Sequence, residues 1–216
     1  MAHVLTMMSA DITREKAGSF SSFIASAEAH DLRVAEINSC GQLHPFLQRL
    51  SKLCYSEYGS NDSSIRSEDL MSLSYASESF DLVLTSDTLE HVPDVRRASA
   101  EIWRVLKYGG FHVFTVPVVW DREVTLQRCH MEGEVIVSRH LDSYHGGALG
   151  GDRSLVFYEF GSDIVNVVAS CRFEVSLFTS ENNPAVSVFV CRKTDSDPLK
   201  SHNVNKRTIC INTSKL

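Results

Sequence analysis

The chain has 216 residues, 43% of them hydrophobic and 22% charged, and a formal net charge of −6. This is the balance of an ordinary globular protein with one core, so a single domain is expected, and no basic run is long enough to follow a phosphate backbone. Nucleic acid is therefore not expected as a bulk partner, although a nucleotide-like small molecule fits, and no membrane span is expected because no apolar run approaches ~18 residues.

The cysteines Cys40, Cys54, Cys129, Cys171, Cys191 and Cys210 form no C-x-x-C pair, which points to reduced thiols. The first residues, MAHVLTMMSADITREK, lack a basic segment followed by an apolar core of signal length, so a cytoplasmic protein is expected. Beyond this polar start, Phe20, Phe23, Ile24 and Ala27 recur at helical spacing and predict a helix closed by His30-Asp31. LRVAEINS then reads as a buried strand, and Leu43, Leu47, Leu50 and Leu53 as one face of a helix. LCYSEYG and FDLVLTS predict two more strands. The amphipathic stretch DVRRASAEIWRVLKYGG predicts a helix stopped by Gly109-Gly110, and FHVFTVPVV is a further apolar strand.

Strands alternating with helices of this length imply a parallel sheet covered on both faces, because a parallel pair needs a crossover. The expected fold is α/β, a Rossmann-like doubly wound and mostly parallel sheet. From Trp120 to about Gly151 the pattern breaks into a polar, aromatic and Gly-rich stretch, so residues 118–151 read as a substrate-side insertion or lid. LVFYEFGSDIVNVVASC predicts a strand or turn entering a helix. FEVSLFTSENNPAVSVFVCRK predicts two strands joined at Asn-Asn-Pro, which would put an antiparallel strand at the end of the sheet. The domain is expected to run over residues 1–194, followed by a polar tail, 195–216, mobile or loosely docked.

In an open α/β sheet, ligands bind beyond the carboxyl ends of the strands. That explains why the run FDLVLTS breaks into SDTLEHVPD: Asp87, Glu90 and His91 lie just past a strand end, where they can face a ligand. The plainer reading is that Asp87 or Asp94 caps the next helix and His91 is a hydrogen-bonded spacer.

The segments VAEINSCG, YSEYGS, IRSEDLMSLSYASESFDLVLTSDTLEHVPD and EIWRVLKYGGFHVFTVP, from about Val34 to Pro117, resemble in order and spacing the class I S-adenosylmethionine-dependent methyltransferases, in particular the small type 11 methyltransferase domains. YHGG and SLVFYEFGSDIVNVVASCRFE resemble a bacterial branch of such domains associated with sugar and cell-surface biosynthesis. The resemblance implies S-adenosyl-L-methionine as cofactor. It assigns Glu36, Asn38, Ser39 and Gly41 to the turn after the first strand, where glycine-backed amides face the amino-acid part of the cofactor. Here EINSCGQL departs from the family pattern, keeping Glu36 and one glycine, with Asn38, Ser39 and Cys40 where more glycine is usual. Glu57, 21 residues after Glu36, corresponds to the carboxylate that accepts from both ribose hydroxyls, with Tyr55 and Tyr58 walling the site. Asp69 and Leu70 correspond to the adenine loop, and Ser86 to a cofactor contact at the third strand end.

Methyl transfer asks a protein to align the acceptor, exclude water and, for a hydroxyl, take a proton. His145, His91 and His140 are candidate bases, with Asp87 as an orienting carboxylate. Trp120, Arg122 and Tyr144 are candidate acceptor contacts. Phe157 and Tyr158 can add to the pocket, and Arg128 and Arg139 to an anionic group if they converge. No metal is expected, since no Cys or carboxylate pattern accompanies His140 and His145. The expected function is methyl transfer to a small molecule, foremost O-methylation of a saccharide or other hydroxylated metabolite, with a homodimer through the insertion left open. The rivals are a catalytically inactive binding or scaffold protein, suggested by the eroded glycine turn, and a fold member that uses the cofactor for other chemistry.

Overall fold

The apolar runs form one mostly parallel sheet, and the amphipathic segments between them cover both faces. The structure is a computed structural model and describes residues 1–145, 154–180, 187–194 and 207–211. Helices α1 (Ala2–Met7), α2 (Ser9–Thr13), α3 (Phe20–Ala25) and α4 (Ala27–Asp31) lead into strand β1 (Val34–Ile37). Helix α5 (His44–Leu47), strands β2 (Leu53–Glu57), β3 (Arg66–Ser67) and β4 (Phe80–Ser86), helix α6 (Val95–Val105) and strand β5 (Leu106–Thr115) follow. The insertion carries β6 (Leu126–Gln127), β7 (Cys129–Glu132), β8 (Val135–Ser138) and β9 (Tyr144–His145). After it come β10 (Ser154–Leu155), β11 (Tyr158–Glu159), α7 (Ile164–Ala169), β12 (Phe173–Ser180), β13 (Ser187–Lys193) and β14 (Arg207–Ile211).

The main sheet has the order β14-β12-β13-β5-β4-β1-β2-β3. Strand β1 pairs in parallel with both β2 and β4, and β4 in parallel with β5, so the winding reverses between β1 and β4. This is the expected Rossmann-like sheet, and its switch point is where a crevice opens beyond the strand ends. Strand β13 runs antiparallel, but it lies between β5 and β12 instead of at the sheet's end. Edge position passes to β14, which comes from the stretch read as a polar tail and pairs in parallel with β12. The Asn182-Asn183-Pro184 turn lies outside the described residues.

Period-two alternation in the central strands feeds two cores. Ala35, Ile37, Val83, Phe114, Phe189 and Cys191 face α6 and α7, whereas Val34, Leu82, Leu84, Val113, Val188 and Val190 face the N-terminal helices. Helix α6 buries Val95, Ala98, Ser99, Ile102 and Val105, the stripe that 3.6-residue periodicity produces, and Asp94 caps it by accepting from the Arg97 amide at 3.0 Å.

Four local expectations change. The predicted helix at Phe20 breaks in two at Ser26, whose extended backbone (ψ 148°) lets its hydroxyl cap a new helix at the Ala29 amide. Residues 1–16, read as a polar start, form α1 and α2, and bury Val4, Leu5 and Met8. The leucine helix is only a 3-10 turn (Gly41–Leu43) and the four residues of α5. Leu47 and Leu50 reach the core from successive turns, and Leu53 already belongs to β2. Gly109-Gly110 does not stop α6, which ends at Val105 where Leu106 becomes extended. Both glycines lie within β5 near its register shift against β4, and a Cβ on Gly110 would stand 2.9 Å from the Lys107 carbonyl. Among the described residues no helix is long and apolar enough to cross a membrane.

One buried base makes the fold acid-sensitive. His112 on β5 is 1% exposed, shares a 3.0 Å hydrogen bond with the Thr85 hydroxyl and stacks on Phe114, and burial pushes its pKa down from 6.5 to about 3. Above pH 6.5 the imidazole is neutral in both folded and unfolded chains and contributes no pH dependence. Below it the unfolded chain takes up a proton that the folded one refuses, so stability falls as pH drops toward 3. Urea unfolding of wild type and His112→Leu at stepped pH should therefore diverge in slope by up to about 1.4 kcal/mol per pH unit below the ordinary histidine value. Parallel curves would remove His112 from this role.

Candidate active site

The first strand end is shaped by a buried carboxylate. Glu36 is 0% exposed; one oxygen accepts from the Cys40 amide at 2.8 Å and the other from His44 Nδ1 at 2.7 Å. Because a carboxylate only accepts, the His44 nitrogen must be the donor. Asn38 adopts the left-handed conformation (φ 57°) in place of a glycine. It can do so because its amide side chain supports that region locally: Asn38 Oδ1 accepts from the Tyr58 amide at 2.9 Å, tying the end of β1 to the end of β2. Gly41 is also left-handed (φ 58°), and a Cβ built on it meets nothing within 4 Å.

This turn departs from the amide-rich helix start expected for a carboxylate ligand. The Asn38 amide goes to Ser56, Cys40's to Glu36, Gly41's to the Ser39 hydroxyl and Leu43's to the Cys40 carbonyl. The helix that follows has only four residues. Glu36 itself is spent inside the turn. Burial, with Glu36 beside it, also raises the Cys40 thiol well above its ordinary value, so that thiol stays protonated.

Glu57 ends β2, and the Tyr55 hydroxyl donates to one of its oxygens; burial, then this bond, raises the Tyr55 pKa. Tyr58 is 71% exposed and flanks the same edge. Asp69 Oδ1 accepts from the Met71 amide at 2.8 Å, forming the turn after β3. The structure puts Leu70 in the core at 4% exposure, beneath the loop instead of on its outer face. Glu68 is buried as well, bonded to Arg66 and Ser74.

The end of β4 presents the polar groups that the sequence crowds there. Ser86 bonds to Thr115 at 2.9 Å, and Asp87 is exposed and left-handed (φ 47°), its amide held by the Thr115 carbonyl. Next comes the 3-10 turn Leu89–His91. Glu90 is 1% exposed, and neither of its carboxylate oxygens has a hydrogen-bond partner. Burial, with Asp87's charge adding to it, raises its pKa to about 8. His91 Nδ1 lies 2.8 Å from the Leu155 carbonyl and must donate to it, while burial lowers the ring's pKa.

That bond brings the insertion to the strand end. Leu155 is in β10, which pairs with β9 through Leu155 with Tyr144 and Ser154 with His145, and the Phe157 amide bonds to the Glu90 carbonyl. In consequence the His91 and His145 rings meet edge to face at 5.3 Å, and both lie beside Glu90.

The structure thus unites His91 and His145, from the sequence candidates, with Glu90, which had a position but no role. A carboxylate three residues after Asp87, between Leu89 and His91, was the signal available. His140 is exposed and outside this group. Trp120 packs on the core, stacked 6.5 Å from Phe189. Arg122 and Arg128 do converge, each bonded to one oxygen of the single carboxylate of Glu159. Tyr144 is half-exposed, with its hydroxyl donating to Asp142 at 3.2 Å.

Residues 18–114 match the family model described as a methyltransferase domain. No curated protein matches the chain. Among solved structures, the sugar N-methyltransferase KedS8 from Streptoalloteichus is similar over 90% of this chain and 87% of its own, with 14% identity and a TM-score of 0.52. A Listeria monocytogenes protein described as an S-adenosylmethionine dependent methyltransferase matches over 77% of this chain and 93% of its own, at 12% identity and a TM-score of 0.50. At such identities these structures speak for the fold.

The left-handed Asn38 offers a direct check of the turn. Asn38→Gly should stay within about 1 kcal/mol of wild type in thermal or urea unfolding, losing only the Tyr58 link, whereas Asn38→Val should lose on the order of 1–3 kcal/mol more because a β-branched side chain is strained there. Equal losses would mean the turn does not depend on that conformation.

Proposed function

We propose that this chain, whose residues 18–114 match a methyltransferase domain model, is a class I S-adenosylmethionine-dependent methyltransferase that methylates a small hydroxylated acceptor at oxygen, a saccharide foremost. Bound S-adenosyl-L-methionine supplies an activated methyl group that needs no further activation by the protein. Glu57 accepts hydroxyl donors at the end of β2, and the Tyr55 hydroxyl on its other side holds that carboxylate in place. Asp69 offers an acceptor from the turn after β3. Open space over Gly41 leaves room for a ligand at the switch point. Glu57 serves the ribose portion, and on the adenine side Asp69 is the acceptor that remains, since Leu70 is buried beneath the loop. At the amino-acid portion the residues present differ from a glycine-rich turn, because four amides there are satisfied internally.

The observation that carries the oxygen acceptor is the Glu90, His91 and His145 group at the end of β4. A hydroxyl must lose a proton to become nucleophilic, and a buried carboxylate without a partner beside two imidazoles is suited to hold that hydroxyl and withdraw the proton. Strands β9 and β10 pair beside this group and bring the His145 ring to Glu90. Asp87, exposed at the strand end, orients the acceptor. The sugar acceptor draws support from the residues around Tyr144 to Glu174 and from the fold shared with a sugar N-methyltransferase, although that enzyme's acceptor atom is nitrogen.

Incubating the purified protein with S-adenosyl-L-methionine and a panel of sugars, nucleotide sugars, phenols and amines, with mass spectrometry of the products, should yield an oxygen-linked methyl on a sugar. Turnover confined to amines would overturn the oxygen assignment. Calorimetric titration should show Glu57→Ala weakening cofactor binding at least about tenfold, since it removes charge-assisted hydrogen bonds. Unchanged affinity would remove Glu57 from the cofactor site.

A further inference from the structure

The Glu90 carboxylate is costly as it stands. Burying a carboxyl group with neither oxygen hydrogen-bonded costs the fold free energy whether the group is protonated or ionised. Its neighbours do not relieve it. His91 Nε2 and His145 Nδ1 each stand 3.8 Å from Glu90 Oε1, beyond hydrogen-bond reach. His91 has given its Nδ1 proton to the Leu155 carbonyl, so in the neutral ring the nitrogen turned toward Glu90 carries a lone pair and no hydrogen. One possible ligand atom from each of the three side chains thus lies within 4.8 Å of the others.

We propose that Glu90, His91 and His145 bind one divalent transition-metal ion of the zinc and cobalt kind. Two imidazole nitrogens and one carboxylate oxygen form a donor set that such ions favour over magnesium or calcium. Bonds of about 2.1 Å in a tetrahedral site separate ligand atoms by roughly 3.4 Å, so a contraction of a few tenths of an ångström brings the 3.8 Å spacings into range. The supporting bond is in place as well, since metal-binding histidines commonly donate their other ring N–H to a carbonyl, as His91 does to Leu155.

Three protein ligands leave at least one position open. His145 is half-exposed, which puts the open side toward the insertion and the acceptor. An ion there would hold an acceptor hydroxyl and lower its pKa, replacing direct proton withdrawal by Glu90, His91 or His145, whose donor atoms it would occupy; the proton would leave to exposed Asp87 or to water. This consequence rests on the methyltransferase reading; the metal site itself does not.

The test uses the full chain, stripped with a chelator and titrated with Co²⁺ and Zn²⁺ by calorimetry and, for Co²⁺, by its visible absorption. Wild type should bind one equivalent with a nitrogen-ligated cobalt spectrum. Glu90→Gln and His145→Ala should bind at least about tenfold more weakly, while His130→Ala, which alters a partly buried histidine paired with Glu132 outside this group, should match wild type. His145→Ala, at a half-exposed position, keeps the test decisive if Glu90→Gln does not fold. Failure of wild type to bind either ion, or variants that bind as tightly as wild type, would overturn the site. Cofactor titration of the chelated protein separates the two ideas: cofactor binding without metal binding overturns only the metal site, and metal binding without cofactor binding overturns only the methyltransferase reading.

Discussion

The crevice depends on the carboxylate of Glu36. It sits at 0% exposure where the sheet reverses direction, and its two oxygens hold the amide of Cys40 and the ring of His44. Removing either partner would leave a buried carboxylate oxygen uncompensated, a loss far larger than a surface ion pair could cause. The turn therefore has one low-energy path. On that path Asn38 is left-handed, reaches the Tyr58 amide and holds the ends of β1 and β2 together. A glycine-rich turn obtains its shape from backbone freedom; this one obtains it from side-chain bonds, and spends amides in doing so.

The end of β4 follows the opposite logic. At the end of β1 both oxygens of the buried Glu36 carboxylate are paired, whereas Glu90 is buried and unpaired, next to two imidazoles that do not reach it. Stability alone does not favour such an arrangement, since an apolar residue would pack there at less cost. The contrast between a satisfied strand end and an unsatisfied one separates scaffold from chemistry within a single crevice.

The insertion is tied to that chemistry by backbone bonds. The Leu155 carbonyl accepts from His91, and the Phe157 amide donates to Glu90, so the strand that returns from the insertion is hydrogen-bonded to the turn after β4. Arg122 and Arg128 are consumed in fixing Glu159 of the same segment. Both thereby tie the insertion to the segment that follows it.

Much of the fold was legible in the sequence because apolar periodicity is a local property: the strands at Val34, Phe80 and Phe111, the helix after Asp94 and the mostly parallel sheet follow from it. So does the position of Asp87, Glu90 and His91 past a strand end. Boundaries failed where side-chain bonds overrode periodicity, as at Ser26, where a cap restarts a helix, and at Leu50, where leucines reach the core without one. The place of β13 inside the sheet was decided by pairing between distant segments, which no local pattern encodes. The same holds for the site. The sequence by itself determined which residues could do chemistry, but His91 and His145 are 54 positions apart, and only the pairing of β9 with β10 and the bond from His91 to Leu155 bring them to Glu90. Partners for a buried charge are chosen by tertiary contact, because the cost of leaving it unpaired arises only once water has been excluded.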